Sequence, residues 1–212
     1  MKFLKTFFII AIVFSIGCTT TKTKKEQVSN ETIEPIVLDL DNDGLIVGIN
    51  KDDLHYIFKL KSKEPKWKDL GPSYFFLLDE DTAIQVLTLN FGKNKKLPDN
   101  INEIEVSKDN MKYEIDYQEK RIGLKLKSKS EIIQLKRQKA LYWKVEFPKE
   151  HGGTQLYLSL IKKNSYLIGF HSPIINNNEK ILKKLFIDTA NSIEIIDTPI
   201  TKKFMFDYSN KK

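Results

Sequence analysis

Cysteine is almost missing from this 212-residue chain: Cys18 is the only one. No intrachain disulfide can form, and no cysteine cluster can hold a metal. Histidine is nearly as scarce, with three residues at positions 55, 151 and 171. None stands at the spacing of a helical metal site, and no H-E-x-x-H occurs. No G-x-S-x-G elbow is present. The adjacent His171 and Ser172 would point to opposite faces of a strand, so they make no triad. Gly92-Lys93-Asn94-Lys95 lacks the first glycine and the hydroxyl residue of a phosphate-binding loop. These absences leave no recognisable catalytic constellation, and the expectation is a non-enzymatic protein. The formal net charge of +7 is too dispersed to argue for nucleic acid. What is present is ordinary globular material, 41% hydrophobic and 30% charged. A chain of this length can bury a sizeable core without staples.

The first segment carries an address. Lys2 and Lys5 precede an apolar run, Phe7 to Ile16, broken only by Ser15. The run is too short to span a bilayer, which takes ~20 residues, and has the anatomy of a signal peptide. Small Gly17 sits directly before Cys18. The phrase Ser15-Ile16-Gly17-Cys18 resembles a bacterial lipobox, with serine where leucine is commonest. The resemblance implies export, cleavage before Cys18, and acylation of Cys18 with chains such as palmitate. Each buried methylene of those chains adds ~0.8 kcal/mol of membrane affinity. Thr19 stands where an aspartate would favour inner-membrane retention in enterobacteria, so the expected location is the cell envelope, with the outer membrane favoured. Loss of residues 1–17 leaves a net charge of +5. Residues 18–34 then form the lipidated cysteine and a polar tether, whose sixteen residues after Cys18 reach ~20 Å.

From residue 35 to 212 the chain reads as one β-rich α+β domain. Period-2 alternation predicts strands at Pro35–Leu40, Leu45–Ile49 and Leu54–Lys61. A turn-rich stretch around Glu64–Pro72 follows, then a hairpin of Tyr74–Leu78 and Ala83–Phe91, with a short helix over Thr82–Leu89 as the alternative. Gly92–Asn100 is a loop and the one internal boundary the composition suggests. Beyond it, Asn102–Val106, Lys112–Tyr117, Ile122–Lys127, Glu131–Lys136, Leu141–Phe147, Gln155–Ile161 and Tyr166–His171 read as an antiparallel meander. One amphipathic helix is expected near the end, with Ile181, Leu182, Leu185, Phe186, Thr189 and Ala190 as its stripe. Asn176 and Glu179 suggest a capping-box start. That helix must bury its stripe on the sheet. The tail, Ile193–Tyr208, reads as a last strand.

The order of strands and long helix, with the phrases YLIGFHSP and KILKKLFIDTANSIEI, resembles the C-terminal part of Mog1/PsbP-like domains. That resemblance implies a sheet packed against helices and a binding or assembly role. It carries no functional residues.

Three surface features remain. Asp39, Asp41 and Asp43, followed by Gly44, match the first half of a calcium loop, in which oxygens at alternate positions converge on a hard cation. Position twelve is Asn50, so the bidentate glutamate is absent, and Asn42-Asp43-Gly44 also reads as a plain hairpin turn. Calcium is therefore the one cofactor the sequence points to. The second feature is a cationic face from Arg121, Lys125, Lys127 and Lys129, with Lys136 on the next strand, suited to anionic lipid, glycan or an acidic envelope protein. Solvated lysines that keep a sheet edge from aggregating give the same pattern. Third, Trp67, Trp143, Tyr142 and Phe147 are candidates for an aromatic groove, with Tyr142 and Trp143 on opposite faces. The leading expectation is an anchored envelope lipoprotein with a binding or assembly role. The alternative is a calcium-binding surface module at the Asp39–Asp43 loop.

Overall fold

The computed structural model describes residues 35–39, 44–61, 66–69, 73–78, 82–91, 102–163 and 165–210. Cys18, Asp41, Asp43 and the tether lie outside them, as does the loop 92–100. In chain order the elements are β1 (Ile36–Asp39), β2 (Leu45–Lys51), β3 (Leu54–Leu60), β4 (Lys66–Asp69), β5 (Ser73–Leu77) and β6 (Ala83–Asn90). Then come α1 (Glu103–Ile122), β7 (Lys127–Gln134), β8 (Lys139–Glu146), a 3-10 turn (Lys149–His151), β9 (Thr154–Lys162) and β10 (Tyr166–Pro173). The chain closes with α2 (Glu179–Asn191), β11 (Glu194–Ile196) and α3 (Lys202–Ser209).

The strands form two antiparallel sheets. One has the order β1-β2-β3-β11 and the other β4-β5-β6-β10-β9-β8-β7. Alternation decides which side chains meet between them. Leu45, Val47, Ile49, Leu54, Tyr56, Phe58 and Leu60 point inward from the first sheet. They pack on Ile84, Val86, Leu156, Leu158, Ile168 and Phe170 of the second. Phe58 meets Phe76 and Phe170 edge-on, at centroid distances of 6.1 and 6.3 Å. Each such side chain contributes ~1.5–3 kcal/mol on full burial. Helix α2 inserts Leu182, Phe186 and Ala190 into this same core. One polar bond crosses it, between the Tyr56 hydroxyl and Thr88 Oγ1 at 2.6 Å.

Each sheet also has an outer face under a helix. On the first sheet Ile46 and Ile57 pack on Ile200 and on Met205 of α3. Gly48 permits that approach, since a Cβ there would lie 2.9 Å from Ile200 Cγ2 and 3.0 Å from Met205 Sδ. On the second sheet Leu141, Trp143, Val145 and Tyr157 lie beneath Met111 and Ile115 of α1.

The α+β class and the C-terminal helix agree with the sequence reading, as does the β7–β10 meander. Residues 83–89 lie in β6, as the hairpin reading expects, and not in the alternative helix. Five expectations need correction. Asn102–Val106 and Lys112–Tyr117 are not two strands but parts of one twenty-residue helix, α1. Ile122–Lys127 is not a strand either: Gly123 ends α1 at φ 71°, and β7 begins only at Lys127. The tail supplies the short β11 and then a helix, α3. Finally, α2 is not capped by an Asn176–Glu179 box. Asn176 and Asn177 sit at φ 50° and 60°, Asn178 is the N-cap residue, and its Oδ1 accepts from the Ile175 N–H at 3.0 Å instead. Ile181, expected in the stripe, is 64% exposed.

Candidate functional site

The second sheet aligns one residue per strand in a row across its outer face. Phe75 of β5 pairs in register with Gln85 of β6, which pairs with His171 of β10. His171 is opposite Tyr157 of β9, and Tyr157 is opposite Trp143 of β8. Directly opposed side chains lie close enough to stack. The Trp143 and Tyr157 rings do so with centroids 3.8 Å apart and planes within 6°. Tyr157 then meets the His171 ring at 4.5 Å and 24°.

His171 is buried, with Nδ1 and Nε2 each 2.9 Å from a side-chain amide, those of Gln85 and Gln155. Gln155 is itself fixed, because its Nε2 donates to the Gly152 carbonyl at 2.7 Å. Burial lowers the imidazole to about 3, so the ring is neutral at physiological pH. With Gln155 Nε2 used on Gly152, the neutral ring donates from Nε2 to Gln155 Oε1 and its Nδ1 accepts from the Gln85 amide turned to present its N–H, which fits a structural imidazole better than a proton carrier or a metal ligand.

Helix α1 lies over the Trp143–Tyr157 end of the row. It begins at Asn102, whose Oδ1 accepts from the Ile104 and Glu105 N–H groups at 3.2 and 3.4 Å. Glu103 and Glu105 occupy its first turn, and Lys120 and Arg121 its last, as the helix dipole favours. Its contact stripe is unusually polar. Ile104, Met111 and Ile115 are interrupted by Ser107 and Gln118, both buried. Ser107 Oγ and Gln118 Oε1 have no hydrogen-bond partner among the described residues. A buried acceptor left unpaired costs ~1–3 kcal/mol, so two of them on one helix call for an explanation.

Between α1 and the sheet is a shallow, open crevice too tight to enclose a water molecule. Trp143, Val145 and Tyr157 form its floor, Phe147 one wall, and Glu114, Ile115 and Gln118 its roof. Burial alone pushes the Glu114 carboxyl up to about 6. Glu114 and Gln118, whose Oε1 is unpaired, stand one helical turn apart above the crevice.

Of the aromatic candidates, Trp143 and Phe147 come together in this crevice. Tyr142 is on the opposite face, where Lys183 Nζ sits 4.8 Å from its ring centroid. The side chain of Trp67 lies outside the described residues. The expected cationic face is not one surface. Arg121 ends α1, and Lys125 pairs with Glu119 in the link that follows. Lys127 and Lys129 share a face of β7 with Glu131 and with Ile133, which packs on the core. Lys136 is in the β7–β8 turn, where its N–H donates to Asn191 Oδ1 at 2.8 Å. The grouping assumed a strand through residues 121–129, and a helix end and a left-handed glycine replace its first half. For the acidic loop, the structure describes only the backbone of Asp39, opposite Leu45 in the β1–β2 pair. Among the described residues no group of three acids, histidines or cysteines could hold a metal, and no helix is long and apolar enough to cross a membrane.

Sequence reasoning missed Glu114 and Gln118 because it placed the chain around them in strands. The signals that locate them are Asn102 with Glu105 three residues later, and Gly123 at the far end.

No protein-family model matches the chain, and no curated protein is significantly similar to it. Among solved structures it is similar to the cyanobacterial PsbP (CyanoP) of Synechocystis sp. PCC 6803, with a TM-score of 0.41 and 14% identity over 82% of this chain and 98% of that one. It is also similar to a protein of Bacteroides thetaiotaomicron VPI-5482, with a TM-score of 0.41 and 9% identity over 73% of this chain and 53% of that one.

Proposed function

We propose that this protein is a lipid-anchored envelope module that binds another component through the outer face of its larger sheet. The observation that carries the binding half is the mismatch under α1. A polar helix, with two buried oxygens that have no partner among the described residues, covers the Trp143–Tyr157 stack. Such a contact is poorly optimised for stability alone, because burying polar groups without partners is costly. A bound group that supplies the missing donors would relieve that cost. The anchoring half is supported by Lys2, Lys5, the apolar run and Gly17-Cys18, with the polar residues 19–34 as tether.

The test of anchoring is metabolic labelling of the full chain with an alkyne analogue of palmitate in a bacterial host, followed by detergent phase partition. The native chain should label and enter the detergent phase, while Cys18→Ser should do neither. Equal partition of the two chains, or an unlabelled native chain, would overturn the anchor.

A further inference from the structure

Among the described strands, β7 is the longest open edge of either sheet. It has eight residues, against four in β4 at the other end of the same sheet. The edges of the smaller sheet, β1 and β11, have four and three. A sheet edge is commonly kept short, bulged or broken by proline, because its row of unpaired N–H and C=O groups templates another strand. Strand β7 has none of these safeguards. Its register with β8 runs unbroken from Lys127 to Gln134, and it contains no proline. All its residues except Ile133 are exposed. Lysine is the remaining safeguard, and its effect here depends on register.

Alternation puts Lys127, Lys129, Glu131 and Ile133 on the core side of the sheet and Ser128, Ser130 and Ile132 on the other. Lys129 is directly across from Lys144 of β8, whose ammonium is held by Glu179 at 3.1 Å. Like charges so opposed repel, and the acid that would offset Lys129 has to come from the open side. A second copy of β7 brings one. Two-fold antiparallel pairing sets one residue opposite its own copy, and its neighbours opposite each other on the same face. Centred on Lys129 or on Glu131, it opposes that charge to itself. Centred on Ser128, it opposes Lys127 to Lys129. Centred on Ile132, it leaves Glu131 opposite Ile133. Centred on Ser130, it opposes Lys129 to Glu131 at two symmetric rungs. Glu131 Oε1 accepts from Lys183 of its own chain, which leaves Oε2 for the second copy's lysine. In the same register the Lys127 stem lies over Ile133, and Ser128 flanks Ile132, which is 52% exposed in the single chain. We infer that β7 pairs with β7 of a second copy, antiparallel and centred on Ser130, so that two larger sheets become one continuous sheet. This goes beyond the binding role proposed above and uses neither the crevice under α1 nor Cys18.

The test is sedimentation of the full chain in excess nonionic detergent at about 0.1 mM, where the native protein should be dimeric. Lys129→Glu sets carboxylates opposite each other at both rungs, and Glu131→Lys sets ammonium groups opposite each other. Each variant, shown to be folded by circular dichroism, should associate about ten-fold more weakly or less. Mixed in equal amounts, the two should recover the dimer, because every opposed pair is then a carboxylate with an ammonium. Two full-length chains carrying Cys18→Ser test the register, one with Ser130→Cys and one with Ser128→Cys. Opposed Cα atoms of an antiparallel pair lie ~4.5–5.5 Å apart, within reach of a disulfide. The Ser130→Cys chain should therefore cross-link to itself under mild oxidation. In the Ser128→Cys chain the two thiols are offset by four rungs, ~13 Å, and should not. A monomeric native chain, undiminished association of both charge variants, no dimer from their mixture, or equal cross-linking at the two positions would each overturn the inference. Failure of any of these leaves the anchoring result standing, and failure of anchoring leaves them intact.

Discussion

At Glu114 a carboxyl is partly buried on the sheet side of α1, and the cost of holding it there depends on pH. Its pKa rises from an ordinary 4.5 to about 6, with burial as the cause. The folded state therefore binds its proton more tightly than the unfolded chain does. Stability from this group is fully present below pH 4.5, falls as the pH rises towards 6, and is constant above. The loss amounts to on the order of 2 kcal/mol. Glu119 and His171 are shifted down and have the opposite slope, so the raw stability curve mixes the signs. Comparison with Glu114→Gln isolates the one group. The variant should gain stability over the native chain between pH 4.5 and pH 7, read from urea midpoints at both values. A constant difference between the two curves would show that Glu114 ionises freely in the folded protein. The sequence could not expose this residue. Alternation along β8 separates Trp143 from Tyr142, but the helix over Trp143 was hidden in a segment read as strand.

That segment shows what decides legibility at the scale of an element. Strands β8, β9 and β10 are legible as short β-branched and aromatic runs between turns, since nearly all their side chains are buried and little alternation survives. Helix α1 has the right spacing, with Ile104, Ser107, Met111, Ile115 and Gln118 along one side, but two of the five are polar. Its apolar period is therefore diluted, and Ile104 and Val106 in isolation look like a strand. Helix α3 has eight residues, too few to establish a period. For such a helix the ends carry more information than the middle. Asn102 accepts from two N–H groups of the first turn. Its replacement by alanine should cost about 1 kcal/mol, and by aspartate much less. Amide exchange in the first turn should accelerate in Asn102→Ala, while protection in β8 and β9 changes little. Equal protection in native and variant chains would mean that packing on the sheet, and not the cap, holds this end.

Pairing across long sequence distance governs the whole molecule, and local pattern does not reveal it. β6 and β10 are neighbours although α1 and three strands intervene, and β11 returns to close the first sheet against β3. The sequence suggested one meander, whereas the molecule is two sheets whose inner faces make a common core. At a corner the sheets are tied by polar contacts. Tyr166 donates to Asp53, and Asn90 Nδ2 donates to Asp52 Oδ2 and to Tyr166 Oη at 3.0 Å each. In the centre a tie is the bond between Tyr56 of β3 and Thr88 of β6. Both groups are buried, so neither has water as an alternative partner. Removing one hydroxyl leaves the other unpaired, and removing both leaves two apolar groups of nearly the same shape. Tyr56→Phe should therefore cost about 1–3 kcal/mol in urea denaturation. Thr88→Val on its own should also destabilise, and the double variant should be more stable than the sum of the single losses implies. Strict additivity would show that the two hydroxyls are not coupled in solution. The sheets would then be held together by the apolar contacts of Phe58, Phe76 and Phe170 without this bond.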